Sequence, residues 1–239
     1  MNKNDFILVR HSYDDHSYID GKNDTSLTQN GIEIAKEAAK KIIYKIDSNE
    51  VIIRYSTKKR AKETADIIGE YLSKNNIDCN YISDSGLTEL FQGSFNFDGM
   101  EHIERVNFLQ SCWDDFEFCR KNGDLNHRFG QNKSRKIILQ FGENHSDWSV
   151  RIAKGMLNII NDLSQSYQTI NITHRGAIFE IQKLIEMVNG KIQFDDVEKY
   201  ETTWMNYCQD YLLHIEDLNV AKSLTKKYIS KRSRNENNY

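Results

Sequence analysis

Two rhythms of apolar and polar positions share this chain: short unbroken apolar runs, and longer stretches with an apolar residue at every third or fourth place. Phe6-Ile7-Leu8-Val9 is a run of the first kind. So short a run, rich in β-branched types, predicts a strand buried on both faces. Val51–Tyr55 and Thr169–Thr173 repeat it, and Asp78–Ile82 reads as a further strand. Helical spacing fills the intervals. Ile34, Ala35, Ala38, Ala39, Ile42 and Ile43 form one apolar stripe with Thr28 as its N-cap, and Ala61, Thr64, Ala65, Ile68 and Leu72 form another that Ser56 or Thr57 can cap. Val150, Ile152, Ala153, Met156, Leu157, Ile159 and Ile160 mark a third helix, and Ala177 to Val188 a fourth. Tyr200 to Ile215 predicts a C-terminal edge hairpin, and Val220, Ala221, Leu224 and Tyr228 pack a last helix. Strands alternating with helices argue for a three-layer α/β/α sandwich around a mostly parallel sheet.

The rhythm lapses over about 95–141. Glu101 to Arg120 is expected to be helical and Asn122 to Lys136 a polar loop, with no clear strand between the sheet elements on either side. Such an insertion forms either a cap over a crevice or surface decoration. The whole of 1–239 is expected to be a single domain with this cap and with a basic tail over about 222–239, in which Lys226, Lys227, Lys231, Arg232 and Arg234 are solvated.

Composition narrows the function. With 38% hydrophobic residues the chain can fill a real core, and 32 basic against 35 acidic residues leave a net charge of -3. No global field therefore attracts nucleic acid or an anionic membrane, and any basic site is local. The polar stretch before Phe6 and the short run behind it lack a signal h-region and a spanning segment, so the expected location is cytoplasmic. Cys79, Cys112, Cys119 and Cys208 show no C-x-x-C pair and no His at zinc spacing, which predicts reduced thiols rather than disulfides or a metal site. The chain has no proline, so Gly, Asn, Asp and Ser clusters mark its turns.

The candidate chemistry stands where strands end. The first strand runs into Arg10-His11, and in open α/β sheets the ligand crevice lies at those carboxyl ends. Arg60 falls in the first turn of a helix, where free N–H groups favour phosphate; alternatively it pairs with Glu63 or Glu70. Glu89 lies between Thr88 and Leu90 in a loop, a setting that raises a carboxyl pKa and suits a general acid. His174 follows the Thr169–Thr173 strand and opens a helix, in either a functional or a structural role. Asp14, Asp15 and His16 are adjacent in a loop and read as solvated residues, not as metal ligands.

In order and spacing, these stretches resemble the histidine phosphatase superfamily, the phosphoglycerate-mutase-like proteins. The resemblance runs from Leu8-Val9-Arg10-His11 through Asp24–Gly31 and Tyr55–Ala65 to Ile172-Thr173-His174. It includes Leu87-Thr88-Glu89-Leu90 with Gly93 and Asp98-Gly99, and the turn Gly142-Glu143-Asn144. It implies that His11 is the nucleophile of a phosphohistidine mechanism, that Arg10, Arg60 and His174 hold the phosphoryl oxygens, and that Glu89 protonates the leaving oxygen and later activates water. No cofactor and no metal is implied. Where the mutase-type signature reads Arg-His-Gly-Glu-Thr-x-x-Asn, this chain has Ser12, Tyr13, Asp14 and Ser17. The loop that faces the substrate therefore departs from the mutases. Ser17, Ser56 and Arg175 are the substrate-binding candidates, Arg175 as a cation for a second anionic group or as a surface residue. The expected activity is a metal-independent phosphomonoesterase of the histidine acid type, acting on a small phosphorylated metabolite or nucleotide. A mutase-type phosphotransferase and a non-catalytic binding module are the alternatives, and the oligomeric state is left open, a dimer included.

Overall fold

The computed structural model describes residues 3–14, 24–193, 196–197 and 209–235. In chain order its elements are β1 (Asp5–Arg10), α1 (Gln29–Ile42), β2 (Glu50–Tyr55), α2 (Lys59–Ser73), β3 (Asp78–Ser83), β4 (Gly93–Phe95) and α3 (His102–Lys121). These are followed by β5 (Ile138–Phe141), α4 (His145–Ser164), β6 (Gln168–Thr173), α5 (Arg175–Val188), β7 (Asp210–His214) and α6 (Leu218–Asn235).

A five-stranded sheet in the order β3-β2-β6-β1-β7 forms the centre. Every pairing in it is parallel except that of β1 with β7, so the sheet is mostly parallel with one antiparallel edge strand. Successive side chains of a strand point to opposite faces. Ile7 and Val9 accordingly join Ile53, Ile170 and Ile172 against Ala39, Ile42, Ala61, Ala65, Ile68 and Leu72 of α1 and α2. Phe6 and Leu8 point the other way, into a cluster with Ile152, Met156 and Ile159 of α4, Ile178 and Ile181 of α5, and Ala221 and Tyr228 of α6. Both faces are thus covered, as the unbroken apolar run of β1 requires. Each of these buried Leu, Ile or Phe side chains contributes about 1.5–3 kcal/mol.

Residues of the 95–141 insertion join the second cluster through Phe95, Phe97, Cys112, Phe116, Phe129 and Ile138. Between them β4 and β5 pair antiparallel, a small sheet where no strand was expected. With only Gly93-Ser94-Phe95 opposite residues 138–141, neither arm is long enough to show an alternating pattern. Two other expectations change. The residue at the N-cap of α2 is Lys58, without a side-chain cap, in place of Ser56 or Thr57. And α6 continues to Asn235, so the basic residues from Lys226 onward lie on a helix and not in a tail; Arg232 sits over the ring of Tyr228. The other arm of the expected C-terminal hairpin, from Tyr200, falls at 200–208, outside the described residues, as does Cys208. Cys79, Cys112 and Cys119 are free thiols. Among the described residues no helix is long and apolar enough to cross a membrane.

Candidate active site

The site lies where β1 and β6 run side by side. Their register sets Arg10 opposite Thr173, and the N–H of His11 donates to the carbonyl of Thr173 at 2.8 Å. One residue further on in each strand come His11 and His174, whose ring centroids are 4.9 Å apart. Both are buried. His11 Nδ1 is 2.8 Å from the carbonyl oxygen of Ser12. A carbonyl only accepts, so Nδ1 carries the proton and Nε2 of the neutral ring presents its lone pair. Arg60 Nε donates to that lone pair at 3.2 Å.

Arg60 is buried in the first turn of α2, where sequence placed it; of the two glutamates expected as its alternative partners, Glu63 lies 3.9 Å from Lys59 and Glu70 pairs with Lys74 at 2.6 Å. Its Nη2 lies 3.2 Å from His174 Nδ1, so one guanidinium bridges the two imidazoles. Two acidic side chains flank it, with Asp14 Oδ2 3.7 Å from Nε and Asp24 Oδ1 3.6 Å from Nη1. With Nδ1 accepting, His174 directs its Nε2–H to Ser56 Oγ at 2.7 Å. Burial pushes the His174 pKa well below the usual imidazole range; a proton on His11 would lower it further, and the positive charges of Arg60, Lys58 and Arg10 do so already. At neutral pH the ring is uncharged.

Glu89 projects from the loop that follows the short turn Ser85–Leu87, and its Oε2 is 4.0 Å from His174 Nδ1. Its side chain is about a quarter exposed. Burial raises its pKa, opposed by Arg60, the N–H of Leu90, Arg175 and Arg10. The carboxyl lies over the start of α5: a Cβ on Gly176 would come within 2.6 Å of Glu89 Oε1. Arg151 clamps the loop from α4, with Nη1 donating to the carbonyls of Ser85 (2.9 Å) and Thr88 (2.7 Å) and Nη2 to that of Glu89 (3.1 Å). Glu143 holds Arg151 in turn, at 3.0 and 2.8 Å.

Of the remaining candidates, Arg10 is half-buried at the end of β1, and Arg175 opens α5 beside Glu89. Ser56 is fully buried; its hydroxyl bonds His174 and Thr88 and accepts from the N–H of Lys58. Ser17 lies outside the described residues, as do Asp15 and His16. Asp14 is not the solvated residue expected from its loop: it is fully buried, accepts from Thr25 Oγ1 at 2.7 Å and lies beside Arg60. The arginine's charge compensates the carboxylate there. Gly31 makes room for this loop, since a Cβ there would lie 2.0 Å from the Tyr13 carbonyl oxygen. Sequence reasoning assigned no role to Asp14, Asp24, Glu143 or Arg151, because each acts through a partner distant along the chain.

The profile of the histidine phosphatase superfamily (branch 1) matches residues 6–186. Solved structures give the same fold at low identity. A mycobacterial glucosyl-3-phosphoglycerate phosphatase is 18% identical with a TM-score of 0.60, over 91% of this chain and 94% of that one. YhfR of Bacillus stearothermophilus is 19% identical with a TM-score of 0.58, over 87% and 89%. A putative alpha-ribazole-5'-P phosphatase from Escherichia coli is 18% identical with a TM-score of 0.52, over 90% and 96%. Among curated protein sequences, none matches this chain.

Proposed function

Because the chain belongs to the histidine phosphatase superfamily, we propose that it is a phosphomonoesterase that hydrolyses a small phosphorylated metabolite or nucleotide through a phosphohistidine on His11, without a metal ion. The observation that carries this reading is the environment of His11. Its proton is held on Nδ1 by the Ser12 carbonyl, while Nε2 faces Arg60 in the crevice shared with His174 and Glu89.

The steps follow from those positions. A phosphoryl group entering between Arg10, Arg60 and His174 draws the Arg60 guanidinium onto its oxygens and frees the Nε2 lone pair, which attacks phosphorus. The P–O bond to the leaving group breaks, and the protonated carboxyl of Glu89 gives its proton to the departing oxygen. In the second step the Glu89 carboxylate takes a proton from water, the water oxygen attacks phosphorus, and the P–N bond returns its electron pair to Nε2. One displacement on a poor leaving group becomes two easier ones. Arg10 and Arg60 supply the stabilisation of developing phosphoryl charge that a metal provides in other phosphatases. Ser56 orients His174, and Arg175, at the Glu89 side, takes a second anionic group of the substrate. Two similar structures are named as phosphatases of small phosphorylated metabolites, which supports that substrate class.

A phosphate-release screen over phosphorylated metabolites, nucleotides and phosphopeptides tests the proposal, with His11→Ala as control. Release of phosphate in water alone supports a hydrolase. Transfer that occurs only when an acceptor alcohol is added overturns it in favour of a phosphotransferase.

A further inference from the structure

The cap holds a second group of chemistry-bearing side chains that plays no part in the reaction above. Asp115 and Cys119 are four positions apart on α3 and so share one face of the helix. His127 is turned back onto that face by Asp124, whose Oδ1 accepts the N–H groups of Asn126 (3.2 Å) and His127 (3.1 Å). One ligand atom from each of Asp115, Cys119 and His127 lies within 4.8 Å of the others. His127 is buried, and the other two are half-buried. Sequence spacing does not reveal this, because only the loop turn brings His127 to the thiol.

The arrangement suits a tetrahedral cation of mixed donor preference. In such a site nitrogen and oxygen ligands bind at about 2.0–2.1 Å, which separates them by roughly 3.4 Å, and sulfur at about 2.3 Å lies roughly 3.5 Å from either. His127 Nε2 is already 3.0 Å from Asp115 Oδ2, so that pair opens only slightly, and the Cys119 sulfur, within 4.8 Å of a donor atom on each, has to move closer. The outer partner is in place: Asn132 Nδ2 donates to Asp115 Oδ1 at 3.1 Å, leaving Oδ2 for the ion. Burial and the carboxylates of Asp115 and Asp124 favour the protonated thiol of Cys119, and a bound cation would favour the thiolate.

We propose that Asp115, Cys119 and His127 bind a zinc-class divalent cation, with water in the fourth position, and that the ion ties α3 to the loop that follows it. Donors of one nitrogen, one sulfur and one carboxylate oxygen match zinc or cobalt better than magnesium or calcium. The role is structural. On either side of His127 the loop meets the first turn of α4 and the turn before it: the N–H of Ser146 donates to the Leu125 carbonyl (3.0 Å) and that of Gly142 to the Phe129 carbonyl (3.0 Å). The ion therefore fixes the cap where it meets the main body, and the chemistry at His11 does not depend on it.

The test titrates the reduced, chelator-stripped full chain with Co²⁺ and follows its visible and near-ultraviolet spectrum. The expected result is one cobalt per chain with a thiolate-to-cobalt charge-transfer band that Zn²⁺ abolishes. Cys119→Ser should lose the band with its circular dichroism unchanged, Cys112→Ser and Cys79→Ser should keep it, and Asp115→Asn should weaken binding at least tenfold. Absence of a charge-transfer band in the parent protein, or its survival in Cys119→Ser, overturns the assignment and leaves Asp115 and His127 as a hydrogen-bonded pair.

Discussion

His11 Nδ1 donates to the carbonyl of Ser12, its own neighbour in the chain, at 2.8 Å. So local a bond is independent of substrate, and it dictates which nitrogen can react. The phosphoryl adduct should therefore form on Nε2 alone. Nitrogen and phosphorus NMR of the trapped, acid-labile intermediate will distinguish the two nitrogens, and an adduct on Nδ1 would show that the ring turns over during catalysis. His11→Ala should abolish turnover without unfolding the protein, since the ring lies at a strand end beside the crevice and not within either apolar cluster.

Chelation gives an independent test of the charge balance. In the proposed mechanism Arg10 and Arg60 neutralise the phosphoryl charge, so hydrolysis of p-nitrophenyl phosphate should persist after exhaustive treatment with a chelator. Loss of this activity, restored by a divalent ion, would place a metal in the reaction itself. A cation held by Asp115, Cys119 and His127 has a separate signature, the thiolate-to-cobalt band, which is read without turnover.

Much of the fold could be read from periodicity because the apolar faces that define it are local: four residues of β1 and the stripes of α1, α2, α4 and α5 each announce their own element. His11, Arg60 and His174 were legible because strand ends and helix starts carry them. The rest depends on partners far apart in sequence. Nothing local to Arg151 tells that it holds the carbonyls of Ser85, Thr88 and Glu89. The hydroxyl of Ser56 suits a helix cap on propensity, yet a buried imidazole nitrogen is the stronger claim on it, and α2 begins without a side-chain cap. The loop bearing Asp14 looks solvated until Arg60 arrives from another element.

Arg151 supplies a prediction about position. It bonds backbone oxygens of the Glu89 loop and has no bond to His11, His174 or Arg60 among those described. Arg151→Lys keeps the charge but cannot span three carbonyls and Glu143 together. It should lower kcat by about 10- to 100-fold through a displaced acid, with KM changed much less. A loss carried by KM would mean that Arg151 serves substrate binding.

Beneath the same loop, Arg54 on β2 is buried between two carboxylates, with Nη1 3.0 Å from Asp84 and Nη2 2.6 Å from Asp162. Asp84 in turn accepts from the N–H of Gly86 at 2.7 Å and so shapes the turn before Glu89. Arg54→Ala leaves the buried Asp84 and the half-buried Asp162 without their arginine and should cost about 3–5 kcal/mol of stability. Equilibrium urea unfolding reads this directly. A change below about 1 kcal/mol would mean that water replaces the arginine without penalty.

The pH profile tests Glu89. Burial raises its pKa, so its acid form persists further toward neutral pH than that of an ordinary glutamate. A general acid must be protonated in the free enzyme, so kcat/KM should hold on the acid side of this pKa and fall as pH rises through it. Arg175 lowers the same pKa. Removing that charge in Arg175→Gln raises it, so the descending limb for an alkyl phosphate without a second anionic group should move to higher pH. Glu89→Gln should remove the limb and slow hydrolysis of alkyl phosphates by about 10²- to 10⁴-fold. A nitrophenolate leaves without a proton, so in this variant it should still phosphorylate His11 and release a burst of nitrophenol. Steady turnover after the burst should be slow, because the same carboxylate activates the water. Equal loss on both substrates with no burst, or a limb that moves to lower pH in Arg175→Gln, would mean that Glu89 supports the loop and transfers no proton.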